Sequence, residues 1–319
     1  MNRYFLRRTL SAIPTLVAIS LVLFLILALA PGDPLSEFAN NPGVPPEVRD
    51  RIRESLGLNE PIMVRYAKWA TALFQGDFGY SFRSRSPVID LLQQRIPTTL
   101  FILGTAYVIA VVVAIPLGVL SAIKQYSWFD NILSTVAFVG FSIPNFFLAI
   151  LFVLLFSVEL GWLPMIYRTN IDAVGVAGLW ERIRQAIMPI TVLALYNATV
   201  LVRYTRAAML ETLHQDYART ARAKGLSERR VINGHLVRNA LIPVVTVIAL
   251  GIPAIFSGSI IIEQIFRVPG IGTLLITGIN DGDTPVVMAI TFIYAVLVIV
   301  CNLVADFIYT LLDPRIRYT

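Results

Sequence analysis

Asp216-Tyr217-Ala218-Arg219-Thr220-Ala221-Arg222-Ala223-Lys224-Gly225-Leu226 is a basic, helix-forming island set between two long apolar runs, residues 187–202 and 241–266. Crossing the hydrocarbon core takes about 20 apolar residues as a helix. The runs on either side of the island are built for that task, and four more resemble them: residues 10–30, 99–123, 132–158 and 286–311. Run length favours helices over strands, because each backbone polar group must be satisfied within its own segment. The fold class expected is therefore all-α integral membrane with six transmembrane helices. Pro14, Pro116, Pro144 and Pro253 fall inside the runs. Each is expected to kink its helix where neighbours satisfy the freed carbonyl.

Composition agrees. The 319 residues are 56% hydrophobic and 14% charged, with a mean hydropathy of +0.72. A soluble domain carries roughly a quarter charged residues. The net charge of +6 is carried mostly by arginine, and the only lysines are Lys68, Lys124 and Lys224. These cations flank the apolar runs, so they fit membrane orientation better than nucleic acid. The single cysteine, Cys301, sits in an apolar run and is read as packing, which leaves no disulfide framework. His214 and His235 lie in the island without cysteine or carboxylate partners, so no metal site is expected there.

Arg3, Arg7 and Arg8 precede the first run, as they would in a signal peptide, but the run exceeds the 7–15 residues of a signal core. A retained helix is the expectation. With the N-terminus inside, the inner loops hold Arg3, Arg7, Arg8, Lys124, Arg315, Arg317 and the island cations from Arg203 to Arg238. The short outer loops hold only Arg168, Arg182, Arg184 and Arg267. Both termini and the island are expected to be cytoplasmic. The chain then reads as residues 1–30 (N-terminus and first span), 31–97 (extracytoplasmic loop) and 98–319 (a five-helix core containing the cytoplasmic loop 203–238).

The 31–97 loop is expected to be helical. Val48, Ile52 and Leu56 mark one short helix stopped by Gly57, and Ile62, Tyr66, Trp69 and Leu73 share a face of a second. Ser86-Pro87 opens a third, carrying Val88, Leu91 and Leu92. Within the loop, Gly76-Asp77-Phe78-Gly79 contains the letters of a kinase motif without any of its companions.

From Arg203 to Lys224 the island has strong helix formers and no proline, and Gly225 supplies the left-handed stop. Ser227 can cap a return helix bearing Val231 and Leu236. Tyr217, Ala221 and Lys224-Gly225-Leu226 are expected at an exposed tip. Ala218, Ala221 and Ala223 are expected to let a partner's groove approach, with the arginines pairing acidic groups on that partner. An ordinary positively charged inner loop is the plainer alternative; length, glycine placement and alanine content argue against it.

These residues resemble the cytoplasmic "EAA" loop of permease subunits in the dipeptide/oligopeptide (Dpp/Opp-type) branch of ABC importers. Arg219-Thr220-Ala221 stands where the general form has Glu-Ala-Ala, and Gly225 matches its glycine. The general Leu-Pro pair is absent: Val237-Arg238 occupies that region, and proline comes at Pro243. Further fragments resemble the family in order and spacing. They are Pro31-Gly32-Asp33-Pro34, Leu56-Gly57-Leu58, Arg65-Tyr66, Gly76-Asp77-Phe78-Gly79, Pro269-Gly270-Ile271-Gly272 and Asp313-Pro314-Arg315.

The resemblance implies a type I ABC importer permease fold. It makes Asp216–Leu226 the coupling segment that seats in a groove of an ABC ATPase subunit, in a complex with two such ATPase subunits, a second homologous permease and an extracytoplasmic solute-binding protein. No cofactor, metal or catalytic residue is expected in this chain, which is read as a transport subunit and not an enzyme. Its lysines precede Trp69, Gln125 and Gly225, so no Gly-Lys-Ser/Thr phosphate loop exists. ATP and Mg would sit on the partner subunits. Di- or oligopeptides are the implied cargo, with glutathione, nickel complexes and other small solutes as alternatives.

Polar residues within spans are costly and often functional. Asn145, Asn197, Glu263 and Asn302 are candidates for the pathway or for bonds between helices, and Asp306 lies near the inner end of the last run. An ion-gradient transporter would need midplane ionisable groups and inverted repeats. A membrane enzyme would need clustered histidines or paired carboxylates. Neither pattern is present in the sequence.

Overall fold

The structure, a computed structural model, describes residues 2–29, 54, 57, 59–168 and 175–312. The helix expected before Gly57 and the fragments at residues 31–34 and 313–315 lie outside them. Among the described residues the regular structure is helical, apart from one isolated bridge between Tyr80 and Pro87. Five helices among the described residues are long and apolar enough to cross a membrane, and a bent pair makes a sixth if counted as one span.

By its internal contacts the chain divides into two compact units. One comprises Thr98–Gly272 with the chain from Val300 onward; the other comprises Asn2–Pro97 with Thr273–Ile299.

In the second of these, α1 (Asn2–Ala28) carries Pro14 and packs on α2 (Ile62–Phe74). The expected face of α2 does the packing. The Tyr66 hydroxyl lies 2.9 Å from that of Ser20, and Phe24, Tyr66 and Trp69 form an aromatic cluster that Phe292 meets edge-on. A tight turn comes next, and Asp283 anchors it. This carboxylate is buried and accepts from the Ser81 hydroxyl and the backbone N–H of Phe82 and Arg83.

α3 (Val88–Ile123) is one helix of 36 residues, about 54 Å at 1.5 Å per residue. The separate helix expected to open at Ser86-Pro87 and the span expected over 99–123 are thus continuous. Pro97 and Pro116 do not end it. The first unit is built on its second half. Ala106, Ala110, Ala114, Gly118 and Ala122 recur every four residues, and all are buried. Where lipid gives helices no hydrophobic reason to associate, such a small-residue stripe lets backbones approach closely.

α4 (Trp128–Ser142) opens with a bond from the Asp130 N–H to the Ser127 hydroxyl. It ends because Ile143 precedes a proline and is forced into extended backbone (ψ 123°). α5 (Asn145–Phe152) continues as a π-helix through Val153–Glu159, bent by 101° from α4. The single span expected over 132–158 is therefore broken at Pro144. α6 (Gly175–Leu213) is 39 residues long and extends well beyond the expected 187–202 on both sides. α7 (Asp216–Ala223) and α8 (Glu228–Val231) form the island, and a π-turn, Ile232–Leu236, joins α8 to α9 (Val237–Ile265). α9 carries Pro243 and Pro253. α10 (Ile271–Asn280) and α11 (Thr284–Leu312) complete the described helices.

Candidate functional site: the island between α6 and α9

α6 stops at Leu213, and the chain restarts as α7 at Asp216, after two intervening residues. Asp216 sits in the first turn of α7 and Arg222 in its last, both favourable to the helix dipole. Gly225 closes the helix with φ +76°, its N–H donating to the Arg222 carbonyl at 2.9 Å. The chain turns there into α8. Ser227 takes the N-cap position, yet its side chain makes no capping bond; its carbonyl accepts from Arg230 and Val231 instead.

Ala218 and Ala221 are 0% and 6% exposed, in a cluster with Ala122, Met209, Val231, Leu236 and Ala240. The expectation that Ala218 and Ala221 stay exposed, Ala221 at the tip, for a partner's groove to approach is corrected. A short helix holds its place only by burying a stripe, and Ala218, Ala221 and the half-buried Leu226 are its apolar stripe. Their small size lets α7 lie close on α6 and α8 instead of on a partner. Tyr217, Arg219, Thr220, Arg222, Ala223 and Lys224 remain on the exposed side, with Asp216 at its start and Gly225 at its end.

The exposed face is ordered by its own charges. Arg222 donates two bonds to Glu228, at 3.1 and 2.8 Å, which clasp α7 to α8 across the glycine corner. These bonds push the Arg222 guanidinium still further above its ordinary pKa. Arg219, by contrast, reaches only Asp216 at 3.7 Å, with both side chains largely in solvent. The result is a cationic helix face carrying one half-exposed aromatic, Tyr217.

The membrane polar residues do not gather around it. The Asn197 amide donates to the Leu193 carbonyl of its own helix at 2.7 Å. Glu263 is buried and accepts from the Thr99 hydroxyl at 2.7 Å, while Thr99 accepts the Ile271 N–H. A side chain at Gly270 or Gly272 would collide with that carboxylate, which explains both glycines of the Pro269–Gly272 corner. Asn145 begins α5 half-buried, Asn302 is exposed on α11, and Asp306 is half-buried. Among the described residues no group of three or more His, Cys, Asp or Glu could hold a metal.

Two family models cover the chain. One, described as binding-protein-dependent transport system inner membrane component, matches residues 114–318; its N-terminal counterpart matches residues 1–103. The chain belongs to this family. It is a multi-pass inner membrane permease component of the ABC importers. Over its whole length it is 42% identical to the oligopeptide transport system permease protein AppB of Bacillus subtilis (strain 168), with 100% of both chains covered. It is 38% identical to the glutathione transport system permease protein GsiC of Escherichia coli O1:K1 / APEC, again over 100% of both. Among solved structures, the inward-facing MetNI methionine ABC transporter matches with a TM-score of 0.54 and 18% identity, covering 70% of this chain and 97% of that one. At that identity the likeness is one of fold, and it places the permease in the type I class expected from the island.

One charged contact is hidden in the sequence. Asp130, at the start of α4, is buried and receives two bonds from Arg206 of α6, each 2.7 Å. By sequence Arg206 is one more inner-loop cation. Its partner lies 76 residues away, a separation that no local pattern reveals.

Proposed function

We propose that this permease forms half of a translocation pathway for di- and oligopeptides, and that α7 is the element on which an ABC ATPase subunit seats. The observation that carries the second point is the two-sided character of α7. Its buried alanine stripe fixes it to α6 and α8, while Arg219, Arg222, Lys224 and Tyr217 face outward. A helix anchored in this way transmits a push instead of yielding to it. ATP and Mg reside on two ATPase subunits, a second permease completes the pathway, and an extracytoplasmic binding protein delivers cargo. Residues 98–319 supply the pathway core, 1–30 the first span and 31–97 the outer loop, with both termini cytoplasmic.

The peptide reading is supported by the identity to AppB. The similarity to GsiC supports a second, narrower reading: glutathione is itself a small peptide, so both cargoes ask for similar chemistry. The cognate binding protein decides between them. Purified and denatured, it should release peptides identifiable by mass spectrometry; release of a nickel complex or a sugar alone would overturn the cargo assignment.

For α7 the test is charge reversal on its exposed face. Arg219→Glu should leave the permease folded but strip the ATPase subunits during copurification. Undiminished copurification and uptake by Arg219→Glu combined with Tyr217→Ala would remove α7 from the interface.

A further inference from the structure

We propose that Asp130 and Arg206 are positioning residues that fasten the α3–α4 hairpin to α6, so that these parts move as one body when α7 is driven. This role rests on α7 being the seat of an ATPase subunit.

The geometry begins at Arg206, which lies in the last two turns of α6, ten residues before α7 starts. Its Nε and Nη2 each lie 2.7 Å from a different oxygen of Asp130. The carboxylate also accepts from the Ser121 hydroxyl near the end of α3 and, at 2.9 Å, from the Tyr126 N–H in the α3–α4 turn. One buried anion thus gathers α3, the turn, α4 and α6. A buried ion pair is poor evidence for stability, because well-packed apolar groups often serve as well. Its better-attested use is to fix register, since apolar surfaces can slide and a bidentate bond cannot.

Three further contacts along the same seam are intolerant of sliding. A Cβ on Gly118 would lie 2.6 Å from the Cβ of Thr205 and 2.9 Å from the Val202 carbonyl, so α3 and α6 touch backbone to backbone there. A Cβ on Gly140 would lie 2.7 Å from Cγ2 of Thr199, where α4 meets α6. The Arg203 guanidinium stands 4.9 Å over the ring of Phe141. Contacts from Thr199 to Arg206 therefore span two turns of α6. A displacement of α7 then carries α3 and α4, the first limb of the broken span, along with α6.

Two experiments on the assembled, reconstituted importer test this. In the first, Asp130→Asn should lower uptake per ATP hydrolysed roughly tenfold, within the range typical of coupling between linked sites. Asp130→Glu should recover part of it. Unchanged uptake per ATP in Asp130→Asn would overturn the proposal.

The second does not depend on the Asp130 variants surviving. A Cβ at 140 would lie 3.8 Å from the Thr199 Cβ, within the roughly 3.5–4.5 Å of a disulfide. Gly140→Cys with Thr199→Cys, on a Cys301→Ser background, should cross-link α4 to α6 and leave uptake intact, because the two move together. Loss of uptake on oxidation, restored by reductant, would mean that the helices slide and would sink the idea. Should Arg219→Glu combined with Tyr217→Ala retain the ATPases and full uptake, the role of α7 fails first. Should that double variant release them while Asp130→Asn couples normally, only the fastening role of Asp130 and Arg206 fails.

Discussion

The small residues of α3 include a position that leaves no room for a single added methyl group. A Cβ on Gly118 meets Thr205 and a backbone carbonyl of α6, neither of which can rotate away. Gly118→Ala must therefore push the helices apart, at a cost of about 1–3 kcal/mol for overpacking. Gly104, on the same helix, has nothing within 4 Å of its Cβ position. There alanine only gains helix propensity, about 1 kcal/mol at most. Thermal unfolding of the detergent-solubilised permease should separate the two: a lowered midpoint for Gly118→Ala, an unchanged or raised one for Gly104→Ala. Equal midpoints would mean that the α3–α6 seam is looser than the distances say. The stripe at 106, 110, 114, 118 and 122 is legible in the sequence as a repeat of four, although the apolar residues around it hide it from a hydropathy reading. The bond from Asp130 to Arg206 is not legible. An acid three residues after Ser127 looks like any first-turn residue, and nothing in one sequence links it to a cation 76 positions on.

At the scale of elements, run length is enough for the α-helical class and for where the apolar runs fall, though not for their ends or breaks, and composition with one glycine is enough for the corner of the island. What composition cannot decide is which side of α7 faces in. Ala218 and Ala221 stand three apart, as do Arg219 and Arg222, so two stripes compete. Small size suggests a partner's groove, whereas ordinary amphipathicity turns the alanines inward. The inward arrangement found here has a measurable consequence. Ala218→Leu forces bulk into the cluster of Met209, Val231 and Leu236 and should destabilise the cytoplasmic end by about 1–3 kcal/mol. Ala223→Leu, on the exposed side, should leave stability unchanged within about 0.5 kcal/mol. Limited proteolysis at the island reads the difference directly. Faster cleavage of Ala223→Leu than of Ala218→Leu would reverse the assignment of faces. The broken span has a similar lesson. Pro144 marks a break in the sequence, but the apolar residues after it suit a mildly kinked helix and one turned through 101° equally well.

For the whole molecule the decisive quantity is the sidedness of charge. The cations of the island and the N-terminus far outnumber those of the short outer loops, and translocating each Arg or Lys is unfavourable, so the chain should insert with the island inside. Residue 75, exposed beyond the end of α2, then belongs to the opposite compartment from residue 224, exposed beyond α7. Cys301 can be replaced by serine to leave a background without thiols. On that background, Gln75→Cys should react with a membrane-impermeant maleimide in right-side-out vesicles and be protected in inside-out ones. Lys224→Cys should behave in the reverse manner. The experiment is independent of any partner or cargo, because it asks only which way the chain crossed the bilayer. Labelling of Lys224→Cys in right-side-out vesicles, with protection in inside-out ones, would deny α7 access to any cytoplasmic ATPase, and the transmission path from α7 through Arg206 to the α3–α4 hairpin would then have nothing to drive it.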